Sequence, residues 1–270
     1  MQIIRHSSQS KKNMKNQNFM RLHVSGHSDV NVSSIYMLPA HQHLLVDGWI
    51  LSFFNPYSYR CNCVYPLNRG KMSVLEKIKK CEFLYKQSGY KFLFRIMPQL
   101  SHLDNILESS GYKKRYKTRW MYIPTKQFKN KCSSIYENCI LMTSNEWLIN
   151  RQIISGYTDT EAKVYKVFHF GIKSKKYPFV LKVDQTPVTC ALGVQYGENL
   201  GIFDVRTKAE FQRQGYAKII IQALIEQAKK NGVKNVQLHV NLKNTTAINL
   251  YNDLGFRCIC DYWFRRLKQS

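Results

Sequence analysis

Gln212, Arg213, Gln214, Gly215, Tyr216 and Ala217 lie between an apolar run and an amphipathic one, and their types suit the binding of a phosphate. A turn that opens a helix exposes successive main-chain N–H groups, and the positive end of the helix dipole points at the same spot. Gly215 removes a side chain where an anion must approach the backbone closely, and Ala217 keeps the next helical turn thin. Arg213 adds a positive side chain to a cradle that the backbone supplies. Short glycine patterns recur by chance, so the weight of this one rests on what flanks it.

The flanking elements are of the required kind. Leu200–Val205 reads as a strand, and 216–230 as a helix with Ala217, Ile220, Ile221, Leu224 and Ala228 on one stripe. Asn231-Gly232 stops that helix. Upstream, a helical region is expected over 145–171, with Trp147, Ile153, Ile154, Val164 and Val167 as its apolar positions. Strands over 179–183 and 188–195 follow, joined at Asp184-Gln185-Thr186-Pro187 by residues suited to a hairpin. Downstream, Val236, Leu238 and Val240 alternate along a strand over 234–240. A helix over 244–253 ends at Gly255, and a last strand runs through Phe264.

With those neighbours, the segment 200–256 resembles the core of the GNAT superfamily, the acetyl-CoA-dependent N-acyltransferases. The resemblance runs through Val205-Arg206-Thr207, the turn Gln212–Ala217, Asn244, Ala247, Leu250-Tyr251 and Gly255-Phe256. It implies an α/β fold with a mixed, mostly antiparallel sheet flanked by helices. It also implies acetyl-CoA as co-substrate, with no metal. By that resemblance the backbone of Val205, Arg206 and Thr207 pairs with the pantetheine arm, and its N–H groups meet the developing oxyanion. Gln212, Arg213, Gln214, Gly215, Tyr216 and Ala217 hold the pyrophosphate. Asn244 contacts the cofactor, a role compatible with capping the helix that follows it. Tyr251 is the expected general acid for the leaving thiolate. A second use is open to it, as an aromatic packed on the stripe of Ala247, Leu250 and Leu254. Asp204 is the expected general base, with pairing to Arg206 as its structural alternative. His239 is a second candidate base, since its ordinary pKa of about 6.5 suits the task.

The first half repeats part of this order. Strand-like 49–54 and 60–65 precede a helix over 73–88, which Ser73 and Glu76 open as a capping box and Gly89 closes. A strand over 91–97, a helix over 101–110 and a final strand to Ile123 follow, with Gly111-Tyr112 echoing Gly255-Phe256. The matching turn, Asn68-Arg69-Gly70-Lys71-Met72, lacks the second small residue of the later one. The pattern resembles tandem GNAT proteins with a degenerate first domain. The expected divisions are a loose tail over 1–20, a degenerate domain over 21–125, a linker over 126–140 and a catalytic domain over 141–270.

At 270 residues and 44% hydrophobic content the chain can build cores and is not globally disordered. It has no apolar run of about 18 residues, and its basic start is not followed by a signal-like apolar stretch, so a cytoplasmic protein without membrane spans is expected. Of its 8 cysteines, the C-x-C pairs Cys61/Cys63 and Cys258/Cys260 are expected as small core-facing side chains on strands, not as metal ligands. The net charge of +24 is spread along the chain without a nucleic-acid-binding motif, so it is read as an aid to drawing in the anionic coenzyme and not as an RNA footprint. The expected partner is a small-molecule amine, with a protein amine as second choice. A non-catalytic acyl-CoA-binding module and an RNA- or ribosome-associated protein are the competing functions.

Overall fold

The computed structural model describes residues 2–4, 28–54, 60–129 and 138–267. The expected tail over 1–20 therefore lies outside the described residues except at 2–4, and the expected linker is described only at its two ends.

The first half begins with strand Gln2–Ile4 (β1), helix Ser28–Tyr36 (α1), and strands Gln42–Val46 (β2), Trp49–Phe53 (β3) and Cys63–Pro66 (β4). Helix Val74–Gln87 (α2), strand Leu93–Ile96 (β5), helix Ser101–Ser109 (α3) and strand Tyr112–Pro124 (β6) complete it. The second half opens with strand Cys139–Leu141 (β7) and helices Ser144–Ser155 (α4) and Asp159–Gly171 (α5). Strands Lys175–Val183 (β8), Thr186–Tyr196 (β9) and Asn199–Thr207 (β10) lead to helix Tyr216–Lys230 (α6). Strand Asn235–Asn241 (β11), helix Thr245–Asp253 (α7) and strand Arg257–Leu267 (β12) close the chain.

Local chemistry accounts for most of these boundaries. Ser73 and Glu76 form the expected capping box of α2, and Thr143 with Glu146 and Thr158 with Glu161 form those of α4 and α5. The β8–β9 hairpin turns through Asp184 and Gln185 at φ of 47° and 63°, the left-handed pair a two-residue turn requires. The helical region expected over 145–171 is two helices, because Gly156 adopts φ of 64° and Thr158 starts a new cap. The helical phase restarts there, so one stripe does not serve both. Trp147 and Ile154 are buried as expected, whereas Ile153, Val164 and Val167 are exposed.

The residues cluster into two compact units that follow no single cut of the sequence. One comprises 1–32, 38–117 and 262–270, the other 33–37 and 118–261. In the first unit the strand order is β1-β2-β3-β4-β5-β12, with β4 and β5 parallel and the last pairing made by Trp263, Phe264 and Arg265. Leu51, Tyr85, Phe94 and Leu107 centre its core. In the second unit the order is β6-β11-β10-β9-β8-β7, with β10 and β11 parallel and residues 118–124 of β6 antiparallel to β11. Thus the last strand of each sequence half is divided, with residues 118–124 of β6 in the second unit and residues 262–267 of β12 in the first.

The second unit's sheet has a core on each face. Ile220, Leu224, Val236, Ile248 and Tyr251 belong to one, Trp147, Ile154, Ile172 and Leu192 to the other. Cys61 and Cys63 are buried as expected, but Cys258 is exposed and Cys260 only half-buried, which corrects the core-facing expectation for that pair. Cys258 lies near the start of β12, where its thiol meets Asp261 at 3.8 Å in place of a core. No helix among the described residues is long and apolar enough to cross a membrane.

Candidate active site

The site forms where β10 and β11 part. Their parallel pairing runs from Asn199↔Asn235 to Ile202↔Leu238 and stops, while β10 stays paired to β9 as far as Thr207↔Thr189. Past Ile202, one edge of β10 is therefore open. Its register shifts between Phe203 and Arg206, and Asp204 takes a φ of 51°. This bulge changes which way the side chains face. Ile202 and Val205 pack with the α6–α7 core, Phe203 joins the opposite core, and Asp204 reaches Arg151 on α4. Thr207 is held by the Thr189 hydroxyl at 3.1 Å.

The turn after β10 leads into α6 without a side-chain cap. Gly215 stands at the cap position with φ of 86°, and Arg213 has φ of 61°. Among the described residues, the N–H groups of Arg213, Gln214, Gly215, Tyr216 and Ala217 have no hydrogen-bond partner; the next, Lys218 and Ile219, donate to Gly215 O. The turn is braced from within, with Gln212 Nε2 donating to Thr207 O and Gln214 Nε2 to Glu210 O, each at 3.3 Å. A Cβ built on Gly215 would meet nothing within 4 Å. The turn thus combines free donors, a left-handed backbone and open space, the features a pyrophosphate needs. Of the expected contact residues, Val205, Arg206, Thr207 and Gln212–Ala217 form one continuous run around this opening. Asn244 caps α7, accepting from Ala247 N at 3.1 Å.

Tyr251 sits on α7 in the same core, buried, with its ring edge-on to Phe256 at 5.8 Å. Burial pushes its pKa up to about 12, so it is a neutral proton donor at ordinary pH. Among the described residues its hydroxyl has no hydrogen-bond partner. Asp204 is in the opposite condition. Its carboxylate accepts from Arg151 Nε, from Arg151 Nη2 at 3.4 Å and from Arg206 Nε at 2.7 Å. Burial alone would raise its pKa, but the Arg151 guanidinium, aided by Arg206, outweighs it and holds the carboxyl below its ordinary value. A carboxylate so engaged is a weak proton acceptor, and the geometry favours the structural alternative, pairing, over the base role. His239, the other candidate base, stacks on Trp120 at 5.6 Å.

Arg151 and Tyr157 were not foreseen. Arg151 is 2% exposed, and both its guanidinium and that of Arg206 lie over the Tyr157 ring, at 4.8 and 5.1 Å. The signal for Arg151 was present in the sequence, as a charged residue four after Trp147 and three before Ile154 on the buried stripe of α4.

The first unit answers its missing glycine differently. Its turn over 68–72 closes on a carboxylate of the chain itself. Asp47 accepts from Lys71 N and Met72 N, each at 2.8 Å, and pairs with the buried Lys77 at 3.2 Å. The two backbone bonds lower the Asp47 pKa to about 2. A Cβ on Gly70 would lie 2.1 Å from Asp47 Oδ2, so backbone and carboxylate leave no gap there.

Residues 143–256 match the model of the acetyltransferase (GNAT) family. This segment is a GNAT domain. A GCN5-related N-acetyltransferase from Kribbella flavida has the same fold at a TM-score of 0.67 and 11% identity, over 90% of this chain and 94% of that one. A tandem GNAT protein from the clavulanic acid biosynthesis pathway aligns at a TM-score of 0.56 and 9% identity, over 82% and 80% of the two chains. At such identities these likenesses speak for the fold, and they extend the GNAT fold beyond the matched segment into the first half. Among curated proteins, the [ribosomal protein bS18]-alanine N-acetyltransferase of Haemophilus ducreyi is 40% identical over 58 residues, 22% of this chain and 40% of that protein. That of Escherichia coli K12 is 36% identical over 55 residues, 20% of this chain and 37% of that protein. The chain thus matches less than half the length of either.

Proposed function

We propose that the protein transfers an acetyl group from acetyl-CoA to a primary amine. The observation that carries this reading is the open edge of β10 running directly into an uncapped turn with free N–H groups from Arg213 to Ala217. Acetyl-CoA supplies the activated acyl group and a thiol leaving group. The turn binds the pyrophosphate through its amides. The open backbone of Val205, Arg206 and Thr207 orients the pantetheine arm, and its N–H groups stabilise negative charge as it grows on the thioester oxygen. Tyr251 delivers its phenolic proton to the departing sulfur. With Asp204 held by two guanidinium groups, the proton of the attacking ammonium leaves to water. Asn244 borders the cofactor while fixing the start of α7.

The acceptor belongs to the same proposal. The sequence favours a small-molecule amine, and the names of the curated relatives, which specify an alanine of ribosomal protein bS18, bring a protein α-amine alongside it. The basic protein needs no metal for this chemistry and acts in the cytoplasm on this reading.

Calorimetry with coenzyme A, followed by thiol release in the presence of acetyl-CoA and amines, tests the proposal. Tyr251→Phe should keep coenzyme A affinity and lower kcat by about 100-fold. A variant with full turnover removes the acid role, and a wild-type protein that binds no coenzyme A removes the whole reading.

A further inference from the structure

We infer that the acceptor is a small primary amine that also carries a carboxylate, and that Arg206 is the residue that recognises it. This rests on the acetyl-transfer reading above and adds the class of substrate. Arg206 lies in the run of β10 whose open edge borders the reacting groups, and the bulge turns its side chain to the α4–α5 face. Its guanidinium is fixed in two ways, by Nε donating to Asp204 at 2.7 Å and by Tyr157, whose ring lies 5.1 Å away. Only Nε is engaged. Among the described residues neither Nη group has a hydrogen-bond partner, and the side chain is 39% exposed.

Arg151 makes the contrast. It binds the same carboxylate through both Nε and Nη2 and is shut away at 3% side-chain exposure. One aspartate thus faces two guanidinium groups, which leaves the cluster with one net positive charge. Arg151 answers Asp204, and Arg206 is left with a planar pair of free N–H ends on a stem that cannot swing away. Such a fork matches a carboxylate in two-point geometry, and its pre-fixed orientation lowers the entropy cost of binding. A cationic acceptor, such as a polyamine, would meet repulsion here instead.

Matched pairs of acceptors test the assignment in the intact protein. Free amino acids are compared with their α-amides, which keep the amine and lose the carboxylate, and with a diamine and an aminoalkyl phosphate. The wild type should use amino acids with kcat/KM at least about 10-fold above the amides and the diamine. Arg206→Gln should raise KM for the amino acids by about 10- to 100-fold and KM for the amides by far less, so that the preference for amino acids collapses. Arg206→Lys, which keeps the charge without the fork, should recover part of the loss. A preference for the aminoalkyl phosphate would replace carboxylate by phosphate as the recognised anion and overturn the assignment as stated. Equal use of amides and diamine, or Arg206→Gln with unchanged KM for amino acids, would overturn it outright. Failure of coenzyme A to bind would instead strike the underlying transferase reading, and calorimetry separates the two.

Discussion

At the scale of single residues, the decisive contrast lies between Tyr251 and Asp204. Tyr251 is buried and Asp204 largely so, and both stand where the family resemblance assigns proton transfer. Tyr251 has a neutral hydroxyl with no partner among the described residues, whereas Asp204 is saturated by Arg151 and Arg206. Removing the Asp204 charge would leave a guanidinium buried at 3% exposure without its counter-charge. Asp204→Asn should therefore destabilise the protein by about 3 kcal/mol, read from denaturant unfolding. The same variant separates pairing from catalysis. If Asp204 only pairs, the folded fraction of Asp204→Asn keeps the wild-type pH–rate profile; loss of the acid-side limb, where a base is protonated, would restore it as the base. Nothing in the sequence could choose between these, because Arg151 lies 53 positions away from Asp204.

At the scale of elements, α4 and α5 pack round a buried histidine whose titration should be visible. His169 on α5 is 0% exposed, bonds Ser144 through Nε2 at 2.9 Å and stacks on Trp147 at 5.2 Å. Burial lowers its pKa to about 4, and the facing charges of Lys176 and Arg151 add to this against the opposing pull of Asp204. Since the folded pKa lies below the unfolded value of about 6.5, the unfolded chain binds the proton first. Stability is then full above about pH 6.5 and falls as pH drops towards 4, by roughly 2–3 kcal/mol. Thermal melts between pH 7 and 4 should show this slope, and His169→Gln should flatten it relative to the wild type. The divided strands give a second expectation at this scale. Trp263, Phe264 and Arg265 of β12 pair with β5, and Arg265 is 2% exposed in its ion pair with Asp104 at 2.6 Å. Truncation after Asp261 should expose amides of β5 to hydrogen exchange and loosen the first unit, while β8 and β9 keep their protection. Uniform protection after truncation would mean that β12 adds nothing to that unit.

At the scale of the whole molecule, the proposed function gives the net charge of +24 a use, as a long-range field that draws in an anionic co-substrate. Association of coenzyme A should slow by about 10-fold between roughly 20 mM and 500 mM salt, since screening shortens the reach of the field. Stopped-flow binding reads this, and a salt-independent rate would reduce the charge to a matter of composition. The two units also use like turns to unlike ends. The second leaves its amides free, and the first closes its turn on Asp47 and Lys77. From the sequence only the missing glycine spacing at 68–72 was legible, because the residue that fills the turn comes from 24 positions away.

What the sequence determined by itself was local. The turn Gln212–Ala217, the stripe of α6, the capping boxes and the strand–helix order of both halves all depend on residues a few positions apart, whose backbone preferences and spacing act before any tertiary contact. Even the break of α4 from α5 was written in Gly156 and Thr158, though the apolar stripe across them concealed it. The tertiary structure decided what depends on distant partners. It set residues 118–124 of β6 beside β11 and residues 263–265 of β12 beside β5, brought Asp204 to Arg151 as its counter-charge, and left Arg206 with free N–H ends. Strand pairing and buried charge are settled by which groups meet when the chain closes on itself, and a pattern read along the chain carries no distance between them.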